Sequence, residues 1–119
     1  MAKNKALYTN LKRAFHEPNR LAIVSALCGS EEGLAFNDLK AECELTFGNL
    51  SSHLKTLQEA DVIAIQKTFV QNKPRTTIFL TDSGRDQFVA YLEALEAVLE
   101  SASESLKQEK GSHLRLAHI

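Results

Sequence analysis

A short segment near the middle of the chain carries small, neutral or basic side chains along one helical face. In the segment LTFGNLSSHLKTLQEADVI, residues 45–63, these residues are Gly48, Asn49, Ser52, Lys55 and Thr56. A solvated helical face usually alternates Glu with Lys, whereas this face has no acidic residue before Glu59 at its end. The pattern favours contact with a polyanion, since an acidic side chain would be repelled there.

The chemistry available to these side chains matches the edges of nucleic-acid bases. Asn49 can pair bidentately with adenine, and Ser52 and Thr56 can donate to or accept from several base edges. Gly48 would let the backbone approach closely, and the start of the helix offers amide groups to a phosphate. The alternative interpretation is that these small polar residues only cap the helix and are solvated.

The opposite face of this segment predicts the helix that would position these groups. Leu50, Leu54 and Leu57 are spaced four and three apart, which places them on one inward side. Thr46 is a plausible N-cap, so the predicted helix covers 46–60. His53 lies beside the leucine stripe, which favours a half-buried structural histidine over one that reads bases.

Three short elements are predicted before this helix. The stretch KALYTNLKRAF predicts an amphipathic helix that ends near His16, because Pro18 disfavours helical geometry in the residue before it. Pro18 suits the first turn of a second helix, PNRLAIVSALCG, with Gly29 as its left-handed cap. LAF, at 34–36, predicts a brief strand, and Asn37 is expected to cap the short helix NDLKAEC.

A β-hairpin is predicted after Ala60, where the period of the pattern changes. VIAIQKTFV and TTIFL are rich in β-branched and aromatic residues and flank QNKPR, which predicts a long, basic tip. Lys73 and Arg75 flank Pro74 and suit contact with a phosphate or a narrow minor groove. The alternative is a solvated tip. Weaker candidates for backbone contact are Lys67 and Lys12, while Arg20 equally suits a phosphate contact or an internal one.

The final helix carries the seam of a coiled coil. Its apolar residues repeat at steps of four and three: Phe88, Leu92, Leu95, Leu99, Ala102 and Leu106. A monomer would expose a row of leucines, so we expect these residues to form a homodimer interface. The alternative, that the helix folds back on its own core, is expected for Phe88 and extends at most to Leu92.

Composition is that of an ordinary globular chain with an uneven charge distribution. The chain has 119 residues, and residues 1–85 hold eleven basic against nine acidic residues, while 86–119 hold three against six. The charge asymmetry fits a body at 1–85 that meets a polyanion, and with the elements above we expect a DNA-binding domain at 1–85, a dimerisation helix at 86–110 and a tail at 111–119. The start lacks a signal-peptide pattern, and no apolar run spans a bilayer. We therefore expect a cytoplasmic protein without membrane contact, with Cys28 and Cys43 packed as small hydrophobic residues.

The predicted order is helix, helix, strand, helix, helix, hairpin and long helix. The segments HEPNRLAIVSAL, FNDLKAECELTFGNLSSHLKTLQEADVI, KPRTTIFLTDSG and YLEALEAVL, over about residues 14–99, resemble small winged-helix transcriptional regulators of the MarR/ArsR type. The resemblance implies a mainly α fold with a small β-hairpin (α+β) and a long dimerisation helix. It also implies a homodimeric, sequence-specific regulator of double-stranded DNA, with helix 46–60 in the major groove and wing 70–76 on the backbone or minor groove.

The chain departs from the family pattern at one motif, and other functions are alternatives to the DNA-binding regulator. ArsR-type metal sensors carry paired cysteines where this chain has only Cys43, so no metal and no cofactor are expected. Such regulators often bind a small-molecule effector, which remains a possible partner. No catalytic motif is present, and an enzyme is not expected. The stronger rival is a winged helix that binds another protein, and the apolar Phe47 would suit this function. Alternatively, the Phe47 ring packs on the preceding helix or contacts a thymine methyl group.

Overall fold

The computed structural model describes residues 13–112, with side chains described as far as residue 108. The chain divides after Val89 into two compact units. The first contains all the elements up to the start of the last helix, and the second begins within that helix. The predicted N-terminal helix, Lys12 and the tail after Ser112 lie outside the described residues.

From the second predicted helix onward, the elements follow the predicted order. In chain order they are helix α1 (Pro18–Cys28), strand β1 (Leu34–Ala35), helix α2 (Phe36–Glu42), helix α3 (Phe47–Glu59), strand β2 (Ile63–Val70), strand β3 (Lys73–Leu80) and helix α4 (Asp82–Ser112). The three strands form an antiparallel sheet in the order β1-β3-β2, so that β2 lies at an edge. The predicted α+β winged-helix fold with a long C-terminal helix is confirmed.

Helix α1 begins as predicted and ends differently. Pro18 occupies its first turn, and the Glu17 side chain caps it by accepting from the Arg20 N–H at 2.8 Å. The predicted left-handed cap at Gly29 is wrong, since its φ is −84°. The Gly29 N–H instead donates to the Ala26 carbonyl at 3.3 Å, a tightened last turn that requires no left-handed residue.

Helix α2 starts before the predicted cap. Asn37 lies inside the helix, whose N-cap is the extended residue Ala35, and no side chain caps it. The reason is the preceding strand. Ala35 pairs with Thr77 of β3, so the helix begins at the first residue beyond this pairing, and the Asn37 prediction is wrong.

Helix α3 has the predicted start and the predicted buried face. The Thr46 Oγ1 accepts from the Asn49 N–H at 3.1 Å, which confirms Thr46 as the N-cap. Leu50, Leu54 and Leu57 are all buried. Burial of this stripe fixes which side of α3 faces away from the protein.

The hairpin is regular almost to its end. Strands β2 and β3 pair continuously from Ile63↔Leu80 to Val70↔Lys73, and only Gln71 and Asn72 form the turn. Both turn residues have positive φ, 52° and 63°, as a type I′ hairpin turn requires. The predicted long tip is therefore wrong.

Pro74 lies in β3 and not in the turn. It pairs with Phe69, one step beyond the Val70↔Lys73 pair that closes the turn. Pairs of an antiparallel ladder alternate between hydrogen-bonded and non-hydrogen-bonded, so this position needs no N–H toward β2. On its other side β1 pairs only with Thr77 and Ile78, so Pro74 interrupts no ladder there.

The core of the first unit joins the helices to one face of the sheet. Its buried apolar residues are Phe15, Ile23, Val24, Leu27, Leu39, Leu50, Leu54, Leu57, Val62, Ile63, Ile78 and Phe88. The rings of Phe15 and Phe88 lie 5.2 Å apart at a tilt of 54°. The first turns of α4 therefore belong to the same core that supports α3 and the hairpin.

The start of α4 is tied to the end of the α3–β2 connection. The Thr81 hydroxyl donates to the Asp61 carbonyl at 2.7 Å and accepts from the Gly84 N–H at 2.8 Å. The Thr81 N–H donates to the Val62 carbonyl at 3.0 Å. Gly84 is buried, and a Cβ added to it would overlap the Val62 carbonyl group. The helix thus begins where the sequence predicted, in close backbone contact with Val62.

Candidate nucleic-acid interface

The outward face of α3 carries most of the predicted base-reading groups. Gly48, Asn49, Ser52 and Lys55 are exposed, and Thr56 is half-buried. The Thr56 hydroxyl donates to the Ser52 carbonyl at 3.4 Å. A Cβ added to Gly48 would meet no atom within 4 Å, so the backbone at this position is open to an approaching surface. All five residues lie together at the start and middle of one helix.

Phe47, at the start of α3, meets one of the two expectations for it. Its ring lies 5.0 Å from that of Phe36 at a tilt of 49°, so it packs on the preceding helix. The side chain nevertheless remains 67% exposed. Packing against Phe36 therefore holds the ring in place without covering it.

His53 joins α3 to the start of α1. Its Nδ1 lies 3.2 Å from the Arg20 Nη1 and 3.9 Å from a Glu17 carboxylate oxygen. Since arginine only donates, this geometry suits Nδ1 as the acceptor of the contact. The predicted structural role of His53 is confirmed, because its half-buried ring is held by α1.

Arg20 takes the internal one of its two predicted roles. In addition to the His53 contact, its Nε donates to the Ala14 carbonyl at 2.7 Å and its Nη2 to the Arg13 carbonyl at 3.3 Å. Three neighbours therefore engage the guanidinium. It anchors the turn that precedes α1 and links this turn to α3.

The hairpin presents its cations on an acid-free ribbon. Lys67, Lys73 and Arg75 are exposed, and neither Asp nor Glu occurs between Val62 and Thr81. Because side chains alternate along a strand, Lys73 and Arg75 share one face of β3 while Pro74 lies on the other. The hairpin therefore carries a positive field that no acidic residue of its own reduces.

A groove of about 730 Å³ separates the hairpin from helices α2 and α3. Its walls include Phe36, Phe47 and Ser51 on the helical side. On the hairpin side they include Lys67, Lys73 and Arg75, and Asp38 of α2 is the acidic residue among the lining side chains. The start of α3 and the hairpin thus border a common space. The sequence did not indicate this groove, because it depends on how far the hairpin stands from the helices.

The two cysteines have different surroundings. Cys28 is exposed and Cys43 is half-buried, so the expectation that both pack as hydrophobic residues is wrong for Cys28, which ends α1 on its solvent side. Partial burial raises the pKa of the Cys28 thiol, opposed by the charge of Arg85. Burial, with a contribution from Glu42, also raises the pKa of Cys43. Neither thiol is activated as a thiolate by its surroundings.

Beyond the first unit, the described part of α4 has a regular apolar stripe. Leu92, Leu99 and Leu106 are 44%, 60% and 66% exposed and stand seven residues apart. Leu95 and Val98 are half-buried and Tyr91 is buried, whereas Ala102 is exposed. Among the residues that the structure describes, no helix is long and apolar enough to cross a membrane, and no group of three or more His, Cys, Asp or Glu side chains is placed to hold a metal ion.

Sequence comparison identifies the family to which this geometry belongs. The model of the winged helix DNA-binding domain matches residues 19–99, from α1 through the middle of α4. The chain belongs to this family. The match covers α3, the hairpin and the groove between them, so the winged helix contains the whole candidate interface.

Known proteins agree with this assignment. An uncharacterised protein of Methanocaldococcus jannaschii is 35% identical over 80 residues, covering 67% of this chain and 86% of the relative. A transcriptional regulator homologue from Pyrococcus horikoshii is 26% identical with a TM-score of 0.75, covering 86% of this chain and 98% of that one. MepR of S. aureus, solved in complex with DNA, shares the fold at 19% identity and a TM-score of 0.62, covering 98% and 90%. The resemblance to MarR-type winged-helix regulators is confirmed.

One exposed side chain of this winged helix was not among the sequence candidates. Phe69 of β2 is 76% exposed, the highest value among the large hydrophobic residues that the structure describes as exposed. In the sequence it continues the apolar run VIAIQKTFV and was interpreted only as a strand residue. Its register against Pro74, near the turn, is what places it on the wing.

Proposed function

We propose that the protein is a sequence-specific transcriptional regulator that binds double-stranded DNA as a homodimer. Helix α3 enters the major groove, and the wing contacts the adjacent backbone or minor groove. The observation that supports this most directly is the joint placement of an acid-free helix face and an acid-free cationic hairpin around one groove. A polyanion with grooves of regular spacing fits both elements at once.

The α3 face has the side chains that direct readout requires. Its exposed residues Asn49, Ser52 and Lys55 are short enough, or flexible enough, to reach base edges while the helix axis lies in the groove. Gly48 permits close approach of the backbone near the helix N-terminus, where amide groups favour a phosphate. Thr56 is placed at the margin, since its hydroxyl is directed to the Ser52 carbonyl.

The wing supplies the sequence-independent part of the binding energy. Lys73 and Arg75 share one face of β3, and the two-residue turn keeps both strands paired up to Lys73. A rigid ribbon fixes the distance between these cations and α3. It therefore sets the position of the phosphate contacts relative to the bases that α3 reads.

The homodimer is proposed on the apolar stripe of α4. Leu92, Leu99 and Leu106 repeat at seven residues and are exposed, the pattern of one flank of a coiled-coil seam. Leu95 and Ala102 complete the predicted interface at the intervening positions, while Phe88 is shared with the core of the first unit. Pairing two copies would give two recognition helices for two half-sites.

A binding experiment with the wild-type protein tests the function. Duplexes selected from a random library by the purified protein should converge on one motif with two related half-sites, and titration by fluorescence anisotropy should show specific binding. A protein that binds no duplex even at low salt would support the rival, a protein-interaction winged helix. In that case Phe47 and the groove would serve a polypeptide partner.

Replacing Arg75 with alanine is expected to weaken binding to all sequences alike. The variant loses one charge that pairs with phosphate, so the slope of log affinity against log salt should fall by about one counterion. Titrations over a range of salt concentrations measure this slope. Gln66→Ala, a neutral change on the same hairpin, is the control and should leave the slope unchanged.

Replacing Asn49 with alanine is expected to change sequence preference. Loss of a bidentate contact to adenine should reduce discrimination at one position of each half-site by roughly 1–3 kcal/mol, while the salt slope remains that of the wild type. Repeating the selection with the variant identifies the relaxed position. An unchanged motif for Asn49→Ala and for Ser52→Ala would remove both residues from the proposed set of base contacts.

A further inference from the structure

Phe69 is an aromatic side chain that the fold leaves largely uncovered. It is 76% exposed, and its cross-strand neighbour Pro74 is exposed as well. Covering a phenylalanine side chain contributes roughly 1.5–3 kcal/mol, which is not obtained while the ring faces water. A surface that receives this ring on binding would therefore gain affinity from it.

The backbone that carries this ring extends well beyond the core. Phe69 lies four residue steps beyond Ile65, whose pair with Ile78 belongs to the sheet over the core, a distance of about 13 Å at about 3.3 Å per residue. Every residue of this ribbon is paired across to its partner strand, and the turn is only two residues long. The backbone at Phe69 is therefore already ordered before a contact is made, which reduces the backbone entropy that binding would cost.

The charges around Phe69 indicate what kind of surface it meets. Lys67 lies on the same face of the hairpin as Phe69, and Lys73 and Arg75 lie on the opposite face, on a hairpin without Asp or Glu. An apolar ring among cations fits a partner that is anionic at its edges and apolar between them. The minor groove of DNA has this composition, with phosphates along both margins and sugar carbons and base edges on its walls and floor.

The width of the minor groove indicates which part of the wing can enter it. In undistorted B-DNA this groove is about 6 Å wide, half of the about 12 Å of the major groove, which admits a two-stranded ribbon. A wing that meets the minor groove therefore inserts side chains from its end. Phe69 and Arg75 lie on opposite faces of the ribbon, close to that end.

We propose that Phe69 is an apolar wedge that the wing presses into the minor groove, where it contacts sugars and partly unstacks one base step. This inference rests on the proposed DNA-binding function and adds a determinant of specificity to it. Pyrimidine–purine steps such as TA deform most easily, so Phe69 favours sites that have such a step at the position of the wing. Sequence is then read there through deformability, without a hydrogen bond to a base.

The test compares Phe69→Ser with the wild-type protein on a duplex that the wild type selects from a random library. We expect the affinity to fall about tenfold with the salt slope unchanged, because no charge is removed. We also expect 2-aminopurine beside the wing-contacted step to brighten on binding of the wild type and not of the variant. Replacing the TA step by a stiff A-tract step should weaken the wild type and leave Phe69→Ser unaffected.

Two matched variants separate the wedge from a general effect on the hairpin. Val70→Ser removes the adjacent exposed apolar side chain on the opposite face and should change the affinity less than about twofold. Phe69→Trp keeps a large ring and should retain the 2-aminopurine signal. Thermal unfolding should be the same for Phe69→Ser and the wild type, since the side chain lies outside the core.

Several outcomes would overturn the proposal. Equal affinity of Phe69→Ser and the wild type would overturn the wedge alone and leave the DNA-binding function in place. An equal loss in Val70→Ser would do the same, since it would show a general role of the hairpin end. Phe69-dependent sedimentation with anionic vesicles, without an effect on DNA affinity, would assign the ring to a lipid surface. A wild type that binds no duplex would remove both the function and the wedge.

Discussion

Replacing Leu99 with glutamate will make the protein monomeric and lower its affinity for a two-half-site duplex on the order of 100-fold. Leu99 is 60% exposed and lies midway between Leu92 and Leu106 on the stripe of α4. A carboxylate at this position would have to be buried without a partner in the proposed dimer, which costs several kcal/mol for each subunit. Each subunit would then bind a half-site alone and lose the gain in effective concentration from its partner.

Sedimentation velocity measures the oligomeric state of the variant, and anisotropy titration measures its affinity for the duplex. Gln108→Glu is the matched control: it adds the same charge at an exposed position on the far side of the helix, since nine residues correspond to about 180° from Leu99. This control should remain dimeric and bind as the wild type does. A Leu99→Glu protein that stays dimeric would place the dimer interface elsewhere, and one that is monomeric with full affinity would separate dimerisation from DNA binding.

Replacing Gly84 with alanine will destabilise the protein by about 3 kcal/mol, an effect of overpacking at a buried site. The added methyl group would overlap the Val62 carbonyl, a backbone group that cannot rotate away as a side chain can. The same carbonyl accepts from the Thr81 N–H, and the Gly84 N–H donates to the Thr81 hydroxyl. Relief of the overlap would therefore break the contacts that join α4 to the β2 end of the sheet.

Urea denaturation followed by circular dichroism measures this loss. Gly48→Ala makes the same chemical change in α3, where the new methyl group meets only open space. There the higher helix propensity of alanine should leave stability equal or raise it by up to about 1 kcal/mol. Equal stability of Gly84→Ala and the wild type would contradict the close approach of α4 to Val62.

Sequence reasoning succeeded where the determining interactions are local. The start of α3 depends on a hydroxyl three residues before the amide that it caps, Thr46 to Asn49, and its buried face depends on a spacing of three and four. The start of α1 depends on the fixed backbone of Pro18. Such features are set within one or two helical turns, so the sequence alone predicts them.

Structural features were not predicted where they depend on residues that are far apart in the sequence. Arg20 and His53 are 33 residues apart, and only the fold shows that they meet. Asn37 has the residue type of a cap, but pairing of Ala35 with β3 moves the start of the helix. The Gln71–Asn72 turn depends on the register of eight strand pairs, because Asn72 tolerates positive φ but Gln71 does not favour it.

The edge position of β2 affects how the protein behaves at high concentration. Near the turn, one side of this strand has unpaired backbone groups next to the exposed side chains of Phe69 and Val70, a combination that promotes edge-to-edge aggregation. Lys67 opposes it, since two like-charged strands repel each other in dilute salt, and concentrated salt screens this protection. Precipitation should therefore begin at the hairpin, and an oligonucleotide that occupies it should keep the protein in solution.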